Sequence, residues 1–228
     1  MVIGLKNGII KKRFICGDFM NYEEMFEFVR KTLEDADSLY SKKYSFRNRF
    51  EHIKRVFNWC ERILPDYPLC NKEVCLTSCI FHDVGYAKGK ENHANESAKI
   101  FINYAVEHKF DYEFTMEVAN NISLHSNKEL LNDKSTSEEL ILLLEADLLD
   151  EEGAIGIAWD LLGEGAKNPT SYKNGLDCIY EHSAHILNQE YMITPLAKKY
   201  WENKKAFVKR FIEELRKDLF ISEQKEEQ

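Results

Sequence analysis

Five histidine and aspartate side chains occupy positions where the pattern of apolar residues predicts a buried face. His82 and Asp83 are adjacent at the end of an apolar segment, and His52, His125 and Asp147 lie on the inward faces of three other segments. Burying such groups costs free energy unless a partner compensates them. Imidazole nitrogens and carboxylate oxygens together are ligands for a divalent cation, whether Mn²⁺, Fe²⁺, Mg²⁺, Co²⁺, Ni²⁺ or Zn²⁺. The pattern therefore predicts a metal site without choosing the metal.

Helices must position these side chains, because apolar residues recur at intervals of three and four. Residues 50–64 predict an amphipathic helix that ends before Pro65. The segment that starts at Val74 predicts a helix that continues to Gly85, with His82 and Asp83 in its last turn. Further helices are predicted over residues 94–105, over 114–122 with Asp111 as the cap, and over 176–219 with a break near Pro195.

Asp147 lies on a predicted helix of its own, where the apolar pattern calls for a leucine. Ser135 and Thr136 precede this helix, and each has a glutamate three residues later, which is a capping-box pattern. We therefore expect the helix to begin at these two residues.

The composition favours an all-α fold. Only 10 glycines and 4 prolines interrupt the 228 residues, which are rich in Leu, Ile, Glu, Lys and Ala. The length suits one domain over residues 1–228, with the motifs between about residues 45 and 215 and a frayed tail at 222–228. The six cysteines form no CxxC pair and are expected to be thiols.

Charge and hydropathy exclude some partners. The formal net charge of −8 gives no electrostatic basis for binding polymeric nucleic acid. The longest apolar run, residues 140–144, is too short to span a membrane, and the basic N-terminal residues do not suit a signal peptide. We therefore expect a cytoplasmic protein without a membrane partner, and the sequence leaves the oligomeric state open.

The order of the candidate ligands carries a family resemblance. His52, the His82-Asp83 pair and Asp147 resemble the H…HD…D signature of the HD-domain superfamily of metal-dependent phosphohydrolases, and residues 81–86 (FHDVGY) and 145–150 (EADLLD) look like its motifs. Residues 153–158 (GAIGIA) are similar to a segment of one bacterial branch, which includes nucleotide pyrophosphohydrolases. The resemblance implies a helical bundle with the metal at its centre, held by His52, His82, Asp83 and Asp147.

The resemblance leaves the number of ions open. His93 and His125 stand where two-metal members of the superfamily place additional ligands, and in one-metal members residues near these positions contact the phosphate or assist proton transfer. The branch favours one ion, with two as the alternative. The branch commonly has a basic residue where Trp159 stands and another near Asn203, so the inherited substrate choice is in doubt.

The resemblance and the chemistry of the residues suggest further roles. Asp83 would act as a ligand that also helps as a base, and His125 or His93 would stabilise the phosphoryl group or protonate the leaving oxygen. Asp150, three residues after Asp147, would orient a ligand histidine or else form a surface cap. The candidate contacts to an anionic substrate are Arg47, Arg49, Lys88 and Lys90.

The predicted reaction is hydrolysis of a phosphate ester or pyrophosphate bond by metal-activated water, in a small phosphorylated compound such as a nucleotide. A cyclic-nucleotide phosphodiesterase is the alternative that keeps the same site. A sensor that binds nucleotide or metal without turnover is another, as is a structural bundle in which the histidines are core residues.

Overall fold

The computed structural model describes residues 20–34 and 48–221, and these residues form helices and contain no β-strand. The helices are α1 (Tyr22–Glu34), α2 (Arg49–Ile63), α3 (Lys72–Phe81), α4 (His93–Glu107), α5 (Tyr112–Leu124), α6 (Glu138–Glu151), α7 (Ala154–Gly165), α8 (Tyr172–Glu181) and α9 (Pro195–Asp218). Short 3₁₀ turns occupy Leu64–Asp66, Val84–Lys88, Lys128–Asn132 and Ser183–Asn188. The predicted all-α fold is confirmed, whereas α1 and α7 had not been predicted.

Side-chain caps set several helix starts. Asp111 caps α5 as predicted and accepts a hydrogen bond from the Phe114 backbone N–H. The predicted start of α6 at Ser135 and Thr136 is wrong, because Ser137 is the N-cap and accepts from the Leu140 N–H. Thr136 instead donates its hydroxyl to a carbonyl of the preceding 3₁₀ turn.

The chain leaves α3 earlier than predicted. The helix ends at Phe81, so His82 and Asp83 follow it and do not lie in its last turn. The 3₁₀ turn that begins at Val84 packs against the start of α4, where a Cβ on Gly85 would lie 2.1 Å from the His93 carbonyl oxygen. Only glycine permits this approach. The turn brings Asp83 towards α4.

Two apolar clusters flank α2 and α3, which contribute side chains to both. One cluster contains the buried residues of α6, α8 and α9, and the other contains those of α1, α4 and α5. The α6 segment from Leu140 to Asp150 is buried on all sides, so it is a central helix of the bundle. The candidate ligands come from α2 and α6, from the chain just after α3 and α5, and from the start of α4. Among the described helices, none combines the length and apolar character that a bilayer-spanning segment needs.

Candidate metal centre

Four predicted ligands converge on one point. The His52 Nε2 atom lies 3.2 Å from His82 Nε2, 3.5 Å from Asp83 Oδ2 and 3.2 Å from Asp147 Oδ1. His82 Nε2 is 3.6 Å from Asp83 Oδ2 and 3.7 Å from Asp147 Oδ1. Ligands at about 2.0–2.2 Å from a shared cation are separated by roughly 3.0–3.5 Å. These four atoms, the primary group, therefore have the spacing of a coordination shell.

The hydrogen bonds of the two histidines direct their lone pairs to this point. His52 Nδ1 is 2.7 Å from Asp150 Oδ2, and His82 Nδ1 is 2.8 Å from the Cys79 carbonyl oxygen. Because both partners accept, each Nδ1 carries the proton, and in a neutral ring Nε2 is then unprotonated. Two Nε2 lone pairs facing each other at 3.2 Å need a positive charge between them.

The surroundings of Asp147 also indicate a missing positive charge. Its Oδ1 is buried and has no hydrogen-bond partner among the described residues, whereas Lys128 Nζ lies 2.5 Å from its Oδ2. A buried carboxylate oxygen without a partner is costly, and a cation coordinated at this position would satisfy it. The residues present therefore fit a divalent cation.

Electrostatics favour a cation as well. Burial alone would lower the pKa of His52, but without a metal ion the carboxylates of Asp147 and Asp150 raise it to about 9. A proton on Nε2 would then lie where the bound cation would otherwise supply the positive charge. Burial lowers the pKa of His82 to about 4, which keeps this ring neutral, as a ligand must be. Burial would raise the pKa of Asp83, yet the surrounding histidines and Arg49 hold it well below its usual range.

A second group of atoms adjoins the first through Asp83. Its Oδ1 atom lies 3.4 Å from His93 Nε2 and 3.3 Å from His125 Nε2, and the two nitrogens are 3.3 Å apart. His93 Nδ1 is 3.0 Å from the Lys90 carbonyl and His125 Nδ1 is 2.6 Å from the Ile122 carbonyl. These three atoms, the secondary group, again present unprotonated Nε2 atoms beside a carboxylate oxygen.

Two cationic side chains flank the groups. Arg49 Nη1 is 2.6 Å from Asp83 Oδ2, and its guanidinium lies 3.9 Å from the centre of the Tyr86 ring. The Tyr86 ring in turn packs on the His93 ring, with 4.4 Å between the two ring centroids. Lys128 contacts Asp147 from the other side. The sequence reasoning missed Lys128, and its only signal was its position three residues after His125.

The remaining predicted residues have different placements. Asp150 is buried and joins His52 to Arg55, whose Nε lies 2.7 Å from Asp150 Oδ1. Lys88 is exposed, and Lys90 is exposed and offers the site its backbone carbonyl. Arg47 lies outside the described residues. Trp159 is half-buried on α7, and Asn203 is exposed on α9.

Residues 49–152 match the sequence model of the family described as the HD domain. This range contains all the residues of the primary and secondary groups. These residues therefore form an HD domain, the domain of metal-dependent hydrolases, and their grouped histidines and aspartates could hold a metal ion. No curated protein sequence is significantly similar to it.

Solved structures have the same fold. An HD-superfamily hydrolase from Bacillus thuringiensis is 23% identical with a TM-score of 0.65, covering 88% of this chain and 97% of its own. A predicted HD superfamily hydrolase from an uncultured Thermotogales bacterium is 21% identical with a TM-score of 0.60, covering 86% and 92%. Bacillus subtilis YpgQ in complex with ADP is 20% identical with a TM-score of 0.62, covering 86% and 93%.

Proposed function

We propose that this hydrolase cleaves a phosphate ester or pyrophosphate bond of a nucleotide, with two divalent cations. The observation that carries the proposal is the position of Asp83. Each of its two oxygens faces a different pair of histidine Nε2 atoms, at distances between 3.3 and 3.6 Å. Asp83 would therefore help to hold both cations, and paired cations would supply charge neutralisation for a phosphoryl substrate.

The primary group would hold one cation through His52, His82, Asp83 and Asp147. The secondary group would hold the other through Asp83, His93 and His125. The bound cations would supply a water of lowered pKa and would neutralise charge on the phosphoryl oxygens. The two-ion arrangement is favoured over a single ion because the secondary group has the same tautomers and spacing as the primary group.

The remaining chemistry falls to side chains around the ligands. Arg49 and Lys128 approach from different sides and can donate hydrogen bonds to phosphate oxygens when substrate is present. Asp83 is ionised, and its lowered pKa suits it to hold cations better than to take a proton from water. His93 is the most exposed of the ligating histidines, with 18% of its side chain accessible, so it faces the side from which substrate enters.

A nucleotide is the preferred substrate class for two reasons. Tyr86, which contacts both Arg49 and His93, places an aromatic ring beside the position proposed for the phosphate. An aromatic ring there can pack against a base or sugar. In addition, YpgQ, which shares the fold, binds ADP in its crystal structure.

The test is product analysis with metal-depleted protein. Mn²⁺, Co²⁺, Ni²⁺ or Mg²⁺ is added back, and orthophosphate and pyrophosphate released from nucleoside mono-, di- and triphosphates are measured, with cyclic nucleotides as a separate arm. We expect metal-dependent release that Asp83→Asn abolishes and that the exposed control Asp177→Asn retains. Opening of cyclic nucleotides alone would instead identify a phosphodiesterase, and turnover by Asp83→Asn equal to that of the parent would refute the mechanism.

A further inference from the structure

A group of basic and aromatic side chains lies away from the metal centre, between α2 and α9. On α2, Trp59 has the Arg62 guanidinium carbon 4.9 Å from its ring centroid. Lys204 of α9 places its Nζ 4.9 Å from the same centroid. Tyr200 packs edge-on against the indole at 5.2 Å. We call Trp59, Arg62, Tyr200 and Lys204 the Trp59 patch.

The two cations of the Trp59 patch have no anionic partner at contact distance. Within residues 20–34 and 48–221, neither Arg62 nor Lys204 forms an ion pair. Lys204 donates instead to the Glu152 carbonyl at 3.0 Å. The next residue, Lys205, behaves differently and pairs with Glu190 and Glu202. Several exposed lysines also lack an ion pair, but among the described residues Lys204 is the only such lysine that is partly buried.

The surroundings of Lys204 change its pKa. Burial lowers the pKa of Lys204, and the nearby positive charge of Arg62 lowers it further. The carboxylates of Asp150 and Glu152 act in the opposite direction from beyond ion-pair distance, and the pKa stays lowered. An anion placed between Arg62 and Lys204 would remove the repulsion between them.

Lys204 is also held in position before any ligand arrives. Gly153, with φ of 77°, lies so close that a Cβ there would be 2.9 Å from Lys204 Cγ. The lysine stem therefore packs directly on the backbone that connects α6 to α7, and its Nζ is fixed by the Glu152 carbonyl and the Trp59 ring. A cation fixed in this way loses little freedom on binding.

We propose that the Trp59 patch binds a phosphate or pyrophosphate group, free or as part of a nucleotide, at a site separate from the metal centre. A compact anion with several oxygens can accept from a guanidinium and an ammonium, and both cations of the patch lie 4.9 Å from the same ring centroid. The choice of phosphate rests on the proposed function, which would release such groups. The Trp59 patch is separated from the metal centre by Asp150 and His52. Asp150 acts on Lys204 and contacts His52 Nδ1, whereas the metal centre lies on the opposite side of that ring, at Nε2.

The Trp59 patch nevertheless has a connection to the metal centre. Arg55 lies on α2 one turn before Trp59 and holds Asp150 with two hydrogen bonds, at 2.7 and 3.0 Å. Its side chain is 40% exposed, so a bound anion could also attract it. A phosphate at this site would then act on the carboxylate that orients His52.

The experiment measures binding without catalysis. The full chain is stripped of metal with a chelator and titrated by calorimetry with inorganic phosphate, pyrophosphate and ADP at matched ionic strength. The test variants are Arg62→Gln and Lys204→Met, which remove charge and keep most of the side chain. The matched control is Lys209→Met, an exposed lysine on the same helix, and Asp83→Asn removes the shared ligand of the metal centre.

We expect saturable binding to the parent and an unchanged dissociation constant for Asp83→Asn and Lys209→Met. Arg62→Gln and Lys204→Met, folded by circular dichroism, should each raise that constant about tenfold, as expected for loss of a charge-assisted contact. Tighter binding of ADP than of pyrophosphate would identify a nucleotide as the source of the group, and equal affinities a free anion. The proposal is overturned if no saturable binding occurs, if Arg62→Gln binds like the parent, or if Asp83→Asn abolishes binding. Because metal and turnover are absent from this assay, a failed hydrolase proposal would not affect its result.

Discussion

The primary and secondary groups share Asp83 but differ in enclosure and charge. The primary group adds two buried histidines and a second carboxylate, Asp147, and its side chains are at most 8% exposed. The secondary group adds only His93 and His125, and its only carboxylate is the shared one. A closed site with two carboxylates should hold a divalent cation more tightly than an open site with one.

This difference indicates that the two groups would have different roles in binding metal and substrate. In the proposed arrangement the primary group would retain its cation more firmly, because its side chains are less accessible to water and competing ligands. The secondary group is open beside Tyr86 and Arg49, where a substrate phosphate can take part in the coordination. Substitutions can separate the two groups.

The largest effect is expected for Asp83→Asn, because both groups lose their common anionic ligand. We expect the metal content to fall to near zero for both positions and kcat/KM to drop by about a thousandfold or more. Elemental analysis of the purified variant and a phosphate-release assay measure the two effects. Asp177→Asn, an exposed aspartate paired with Lys173, is the control. Retention of two ions by Asp83→Asn would contradict the shared-ligand arrangement.

A smaller effect is expected for His125→Gln, which alters the secondary group alone. This variant should keep one ion per chain and lose the other, with activity lowered by about a hundredfold. Native mass spectrometry after equilibration with Mn²⁺ counts the ions. His108→Gln, on the surface beside Glu24, should leave both in place. If the parent itself binds a single ion, the secondary group contacts phosphate instead of metal.

Asp150→Asn should act through His52 without removing a ligand. The carboxylate that holds Nδ1 also raises the basicity of the ring, and loss of such a partner typically weakens metal affinity by about 10- to 100-fold. Competition with a chelating dye should report this loss for the tighter ion only. Arg55→Gln keeps Asp150 but removes its guanidinium partner, so its effect should be smaller. Equal weakening of both ions would argue against the separation of the groups.

The smallest effect concerns Glu152, a buried carboxyl outside both groups. Burial raises its pKa to about 7, although His185 lies 3.0 Å away. Because the folded-state pKa is above the unfolded value, this group favours folding most at low pH, and the benefit is lost as pH rises from about 4.5 through 7. Glu152→Gln should therefore increase the free energy of unfolding at pH 8 by about 1–2 kcal/mol and change it little at pH 4.

Urea unfolding at the two pH values tests this prediction. Glu145→Gln provides a comparison, because burial also raises the pKa of that carboxyl but hydrogen bonds from Thr194 N–H and Oγ1 oppose the shift, so its gain at pH 8 should be smaller. A gain at pH 4 equal to that at pH 8 would contradict the titration argument. Asp147 differs from Glu152 in the balance of the same effects, because Lys128 and the histidines outweigh burial at Asp147, whereas burial outweighs His185 and Lys204 at Glu152.

Much of the site could be predicted because a buried histidine or aspartate stands in the sequence at a position where the helical spacing predicts an apolar residue. His52, His125 and Asp147 each stood among residues spaced for a core, and the structure brings them together. The family resemblance then supplied the order in which they combine. Their roles as ligands remain proposals that the metal analyses test.

The residues that were not predicted do not interrupt an apolar pattern in the sequence. Lys128 and Arg55 are long, partly exposed cations, which look in a sequence like any solvated lysine or arginine. Their significance depends on tertiary contacts with Asp147 and Asp150. The helix ends were misplaced for a related reason, because Ser135, Thr136 and Ser137 are all plausible caps and only packing selects Ser137.

Three of the four histidines in the two groups have Nδ1 held by a main-chain carbonyl. His82, His93 and His125 each place Nδ1 against the carbonyl of the residue three positions earlier. The tautomer is thus specified by the path of the backbone and makes no demand on the identity of a neighbouring side chain. Substitutions at the three residues that supply these carbonyls can therefore leave the coordinating nitrogen unaffected. The same arrangement could be designed into another protein by placing a histidine directly after a helix.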